Sequence, residues 1–249
     1  MRQARTVESL LLHLEDISTA AYDVEVLISK LTPARLTMRR FLISFLLILS
    51  FSVLCEAQDK KKITFGLFID NTGSMRTQFD EVIRIGKGVV HQIHDRGPVS
   101  IFDFHSDGRG PDARSVPIMR IEQVQDEADL SDTLDELYVE GGQTTLLDAI
   151  EALAEHLKEK ADSSDKVIIL ITDGEERKSS VRQKELLQKL SELKVRVYAV
   201  GLVEQLGSHR GKAVDFLRDI TKATGGKAVF AKRGENLQTL LDGLTLPVP

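Results

Sequence analysis

ITFGLFIDNTGSM, residues Ile63 to Met75, is the stretch that decides the fold. Its apolar run, Ile63, Phe65, Leu67, Phe68 and Ile69, stops at Asp70, and Asn71, Thr72, Gly73 and Ser74 follow. A strand that is apolar at nearly every position is buried on both faces, as in a parallel sheet. Open α/β sheets place their ligand sites at the carboxyl ends of such strands. Asp70, Thr72 and Ser74 supply one carboxylate and two hydroxyls within five residues. Oxygen donors of this kind suit a hard cation such as magnesium.

Downstream of this stretch, strand and helix patterns alternate to the end of the chain. Phe79, Val82, Ile83, Gly86, Val89, Val90 and Ile93 recur at helical spacing, and Val99 to Phe104 reads as a second strand. Val116 to Ile121 reads as a short edge strand in which Pro117 is tolerated. Leu130, Leu134 and Leu137 mark a short helix, and Leu146, Ile150, Leu153 and Leu157 line the next one. Val167 to Ile171 is the most hydrophobic run, and so a central strand, and it ends at Thr172-Asp173-Gly174. A helical stripe at Leu186, Leu187, Leu190 and Leu193 leads to a strand at Val195–Val200. Val214, Leu217 and Ile220 form a helix ended by Gly225-Gly226, Lys227 to Ala231 is a last short strand, and Leu237 to Leu244 is the terminal helix. This alternation predicts a mainly parallel sheet with right-handed crossovers and helices on both faces.

Three loops present small oxygen donors beside glycine: Asp70-x-Thr72-x-Ser74, Gly141-Gly142-Gln143-Thr144, and Thr172-Asp173-Gly174. If the strands ending at Asp70 and Asp173 are neighbours and the strand order reverses between them, the loops flank one crevice. Each loop also has a purely structural reading. Asp70 can cap a helix starting near Ser74, Thr144 can cap the helix from Leu146, and Thr172-Asp173-Gly174 can be a plain turn. The coincidence of all three favours a metal site.

With these words in hand, IDNTGSM, GGQTTLLDAI and ILITDGEE, residues 63–244 resemble a von Willebrand factor A domain. The set Asp70, Thr72, Ser74, Thr144 and Asp173 matches that family's metal-ion-dependent adhesion site, with Thr72 where serine is commoner. The resemblance implies a doubly wound, Rossmann-like sheet with a short antiparallel edge strand. It also implies a magnesium (or manganese or calcium) ion held directly by Thr72, Ser74 and Thr144, with Asp70 and Asp173 holding coordinating waters. A carboxylate from a partner protein would complete the coordination, so the expected function is cation-bridged protein binding and not catalysis. Two alternatives remain. One is a magnesium-dependent phosphohydrolase with Asp70 as nucleophile, for which the loops supply neither a second direct carboxylate nor a well-placed lysine. The other is a structural subunit of an envelope complex that leaves the metal site unused.

Net charge is −5, with no basic footprint for nucleic acid. The single cysteine, Cys55, excludes an intrachain disulfide. Residues 1–37 have mixed charge and no assignable chemistry, and are read as an extension from a start codon placed too early. Met38-Arg39-Arg40 and the uncharged Phe41–Leu54 run have the layout of a signal peptide at 38–57, with cleavage before Gln58. The run is shorter than the ~20 residues that span a bilayer; an uncleaved anchor or a lipidated Cys55 are the alternatives. A charged linker at 58–62 then leads to a domain at 63–245. A signal followed by a nearly bare domain of this type resembles stand-alone bacterial proteins that are secreted, periplasmic or held at the envelope.

Other candidates carry less. His105 and Asp107 are expected in a solvated loop at the same sheet edge. His91 and His94 are three apart on a helix, but the sequence offers no evident third ligand, so zinc is not expected. Glu175 and Glu176 are expected to form an acidic rim or the first turn of the next helix.

Overall fold

The computed structural model describes residues 62–108, 113–160 and 165–248. The extension at 1–37, the signal-like segment at 38–57 and the linker up to residue 61 lie outside the described residues. Strand β1 (Ile63–Ile69) is buried at every position. It is flanked on both sides by parallel strands, β2 (Val99–Ser106) and β4 (Asp165–Thr172). Strand β3 (Ser115–Val124) runs antiparallel to β2 at one edge, while β5 (Val195–Gly201) and β6 (Ala228–Phe230) continue in parallel beyond β4. The order is β3-β2-β1-β4-β5-β6. The chain winds outward from β1 and then outward the other way from β4, so the order reverses between the strands that end at Asp70 and Asp173.

Side-chain alternation divides the core in two. Phe65, Leu67 and Ile69 of β1 and Val167, Ile169 and Ile171 of β4 face one layer of helices. That layer holds α1 (Phe79–Ile93), α2 (Glu127–Asp135) and, from the chain's end, α6 (Leu237–Leu244). Phe68, Ile168 and Leu170 face the other layer, α3 (Leu146–Lys160), α4 (Gln183–Leu193) and α5 (Arg210–Ala223). Helix α3 comes close to the sheet at Gly66, where Leu153 and Leu157 lie against the missing side chain. Among the described residues, no helix is long and apolar enough to cross a membrane.

The expected edge strand is present and longer than its apolar pattern indicates. It extends through Gln123, which takes φ of 54°, beside a register irregularity opposite β2. Ser100 Oγ accepts the Gln123 N–H at 3.0 Å. A hydroxyl on the neighbouring strand thus satisfies the donor that the irregularity frees, and pairing resumes at Val124.

Gly97 sits where a Cβ would lie 1.9 Å from the Ile63 carbonyl oxygen. Gly97→Ala is therefore expected to push β2 away from β1 and to cost about 1–3 kcal/mol in urea unfolding. Gly211, in the first turn of α5, has nothing within 4 Å of such an atom. The same substitution there is expected to be neutral or to stabilise by up to roughly 1 kcal/mol.

Candidate metal centre

The carboxyl ends of β1 and β4 bring the three loops together. Asp70 is fully buried, and both its oxygens are engaged. Oδ1 accepts from the Thr72 amide at 3.1 Å and the Thr72 hydroxyl at 2.7 Å. Oδ2 accepts from the Thr172 hydroxyl at 2.6 Å. Asp70 therefore shapes the turn and aims Thr72, and it caps no helix; Gly73–Met75 is a single 3₁₀ turn with no side-chain cap. With its one proton committed to Asp70, Thr72 Oγ1 turns lone pairs toward two other hydroxyls. Ser74 Oγ lies at 3.2 Å, and Thr144 Oγ1 donates at 3.3 Å from a loop 72 residues away. Ser74 is exposed while Thr72 and Thr144 are buried, so the cluster opens to solvent on one side. A cleft of about 270 Å³ lies over it, lined by Thr72, Ser74, Gln143, Thr144, Glu175 and Arg177. A larger cleft of about 760 Å³, lined by Thr77, Leu202 and Arg233 among others, contains none of these groups.

Asp173 completes the cluster. Its Oδ1 accepts the Glu175 N–H at 2.9 Å. Its Oδ2 is the one buried side-chain polar atom among the described residues that has no partner. A buried carboxylate oxygen without a donor is costly. Burial pushes the Asp173 carboxyl above its usual range, while the Glu175 amide and the Ser74 hydroxyl pull it back. Burial, and then the neighbouring Asp173 charge, push Asp70 from 3.8 up to about 7, against the opposing hydrogen bonds of Thr172 and Thr72. Two desolvated carboxylates, three convergent hydroxyls and one orphaned oxygen make a donor set that fits a hard divalent cation.

Thr144 is free for this cluster because it is not the cap of α3. The Leu147 amide donates to Glu176 Oε2 at 3.0 Å and to Ser179 Oγ at 3.1 Å, and Ser179 also accepts from Asp148. Glu176 thus caps α3, not the first turn of α4, which starts only at Gln183. Glu175 is not an exposed rim either: its side chain is 11% exposed and pairs with Arg177 and His209. The Thr144 carbonyl accepts from the Arg177 and Lys178 amides at 3.1 and 3.2 Å, locking the second and third loops to each other. His105 belongs to β2, 3.3 Å from Glu140, and the Asp107 carboxylate accepts the Arg114 amide.

Asn71 is the positioning residue that the sequence did not mark. Fully buried, its Nδ2 donates to Asp103 Oδ2, Phe104 O and Tyr138 O, each at 3.0 Å, and its Oδ1 accepts from Phe104 N at 2.9 Å. Its carbonyl accepts from Glu140 N at 2.7 Å. One amide thereby ties the β1 loop to β2 and to the segment that leads into Thr144. Arg120 neutralises the buried Asp103 through two contacts, at 2.7 and 2.9 Å; burial still raises the Asp103 carboxyl.

Fold and cluster together define a doubly wound α/β domain with a hydroxyl-rich, carboxylate-backed cavity at its switch point. The sequence matches the von Willebrand factor type A domain over residues 66–243, and the chain belongs to that family. Comparison with curated protein sequences returns no match. Among solved structures, the pilus adhesin SpaC of Lactobacillus rhamnosus GG, in an open conformation, superposes with a TM-score of 0.56 at 16% identity over 74% of this chain. This chain spans only 30% of that adhesin. An aerotolerance-related membrane protein of Bacteroides fragilis gives 0.52 at 15% identity, over 73% of this chain and 97% of that one. The manganese-loaded TRAP protein of Plasmodium vivax gives 0.50 at 20% identity, over 71% of this chain and 66% of that one. At these identities the likeness is one of fold.

The raised Asp70 carboxyl fixes a pH dependence. Between 3.8 and about 7 the folded chain holds a proton that the unfolded chain has released. Without metal, this group's contribution to stability therefore falls as pH rises through that window. A bound cation favours the deprotonated form. If the cluster takes a divalent cation, the rise in melting temperature on adding it is expected to be larger at about pH 8 than at about pH 5, as followed by scanning fluorimetry.

Proposed function

We propose that this domain is a divalent-cation-dependent protein-binding module. Thr72, Ser74 and Thr144 serve as direct oxygen ligands to magnesium, or to manganese or calcium, and Asp70 and Asp173 hold water around it. The observation that carries this reading is Asp173 Oδ2, buried and unpartnered behind a trio of hydroxyls, one of which faces open solvent. The cation, when bound, supplies positive charge and an open coordination position to the cleft. Neutral hydroxyls neutralise little of that charge, which leaves the position attractive to an acidic side chain of a partner protein. Arg177, 52% exposed at the cleft wall, adds a guanidinium suited to the same carboxylate.

Asp70 is a poor candidate for a phosphohydrolase nucleophile. It has no exposed surface, and both oxygens already accept hydrogen bonds from the chain. We place the domain outside the cell or at the envelope. The signal-like segment at 38–57 supports this, and two proteins of similar fold are described as a pilus adhesin and a membrane protein.

Magnesium at about 100 times its dissociation constant is expected to stabilise the native chain by roughly 2.7 kcal/mol. Ser74→Ala and Thr144→Ala are expected to lose most of that gain while keeping the metal-free melting temperature. The immobilised chain should capture partner protein from an envelope extract in magnesium and release it in EDTA. Undiminished magnesium-dependent capture by Ser74→Ala would overturn the assignment.

A further inference from the structure

We infer that His91, His94 and Glu127 form a second metal site, for zinc or a similar imidazole-seeking transition metal, at the sheet edge opposite the hydroxyl cluster. His91 lies in the last turn of α1 and His94 is the residue that ends it. The sequence alone supplies no third ligand, because Glu127 is more than thirty residues further on. The fold supplies it. β3 runs back along the sheet from Ser115, opposite Ser106, to Val124, opposite Val99, so α2 begins at the edge where α1 ends. Glu127 Oε1 then lies 2.9 Å from His91 Nδ1, and Oε2 lies 3.2 Å from His94 Nε2. One ligand atom from each of the three residues falls within 4.8 Å of the others.

Zinc holds nitrogen and oxygen ligands at about 2.0–2.2 Å in a tetrahedron, which separates ligand atoms by about 3.3 Å. The two Glu127 contacts are already near that spacing. His91, 73% exposed, is free to swing the remaining distance. The backbones that carry the ligands are fixed. Leu130 and Leu134 of α2 are fully buried against the α1 layer, Leu134 packs at Gly86, and Lys87 pairs with Asp135 at 2.6 Å. The first turn of α2 is capped by Asp126, which accepts from the Ala128 and Asp129 amides, so Glu127 is not needed as the cap.

Helix dipoles account separately for imidazoles at the end of α1 and a carboxylate at the start of α2. They do not account for both rings converging on one carboxylate, each on a different oxygen. Two imidazoles and a carboxylate with positions left over make an open, three-ligand zinc set. Magnesium and calcium prefer all-oxygen sites, so the two centres select different ions.

The test is zinc titration of the full chain in saturating magnesium, read by competition with a chromogenic chelator and by thermal melting. The wild type is expected to bind one zinc per chain and to melt higher with it. His91→Ala, His94→Ala and Glu127→Gln are each expected to weaken zinc binding by roughly tenfold or more while keeping the native circular dichroism spectrum. Ser74→Ala is expected to bind zinc as the wild type does, which separates this site from the hydroxyl cluster. The inference is overturned if the wild type takes up no zinc, if the double variant His91→Ala/His94→Ala binds it as tightly as the wild type, or if Ser74→Ala abolishes the binding.

Discussion

Two carboxylates at the ends of adjacent parallel strands impose the constraint on which the structure turns. Asp70 and Asp173 are both fully buried; burial raises both carboxyls, and the Asp173 charge raises Asp70 further. A fold that puts like charges in a desolvated crevice must satisfy them with donors or with a cation. Asp70 is satisfied with donors: Thr72 from its own loop and Thr172 from the neighbouring strand. Asp173 is satisfied on only one oxygen. The surrounding loops follow from this imbalance. Thr72 turns its lone pairs outward because its proton goes to Asp70, and Thr144 joins it because another residue caps the helix it precedes.

The strands were legible because strands with neighbours on both sides carry near-continuous apolar runs, and β1 and β4 do. The sequence left their adjacency as a condition, and the structure supplies it: β1 pairs with β4 in parallel along its whole length. The convergence of Asp70, Thr72, Ser74, Thr144 and Asp173 was legible on that condition: each sits at a strand or helix boundary on the same edge of the sheet. What escaped the sequence lies in pairings between segments far apart in the chain. Asn71 sits inside the defining motif, but its partners Asp103, Phe104 and Tyr138 are 32 to 67 residues away and leave no local pattern. Glu176 looked like the acid of a following helix, because acids favour helix N-termini; it does serve an N-terminus, that of the preceding helix α3, 29 residues back. Glu127 had no reason to be grouped with two histidines until β3 carried it across the sheet.

Helix α1 links the two ends of the domain. It starts four residues after the 3₁₀ turn that contains Ser74, and it ends at the His91 and His94 cluster. Fifteen residues at 1.5 Å each make a rod of about 22 Å. Val82, Ile85, Val89, Val90 and Ile93 bury its whole inner stripe, so it lies pinned along β1 and β4. Hydroxyl and carboxylate oxygens converge near one end of this rigid rod, and two imidazoles and a carboxylate at the other, with no side chain in common. The separation rests on the sheet: parallel strands gather small oxygen-bearing loops at their carboxyl edge, while the antiparallel return of β3 delivers an acidic helix start to the other. Strand direction thus decides which side chains converge at each edge of the sheet.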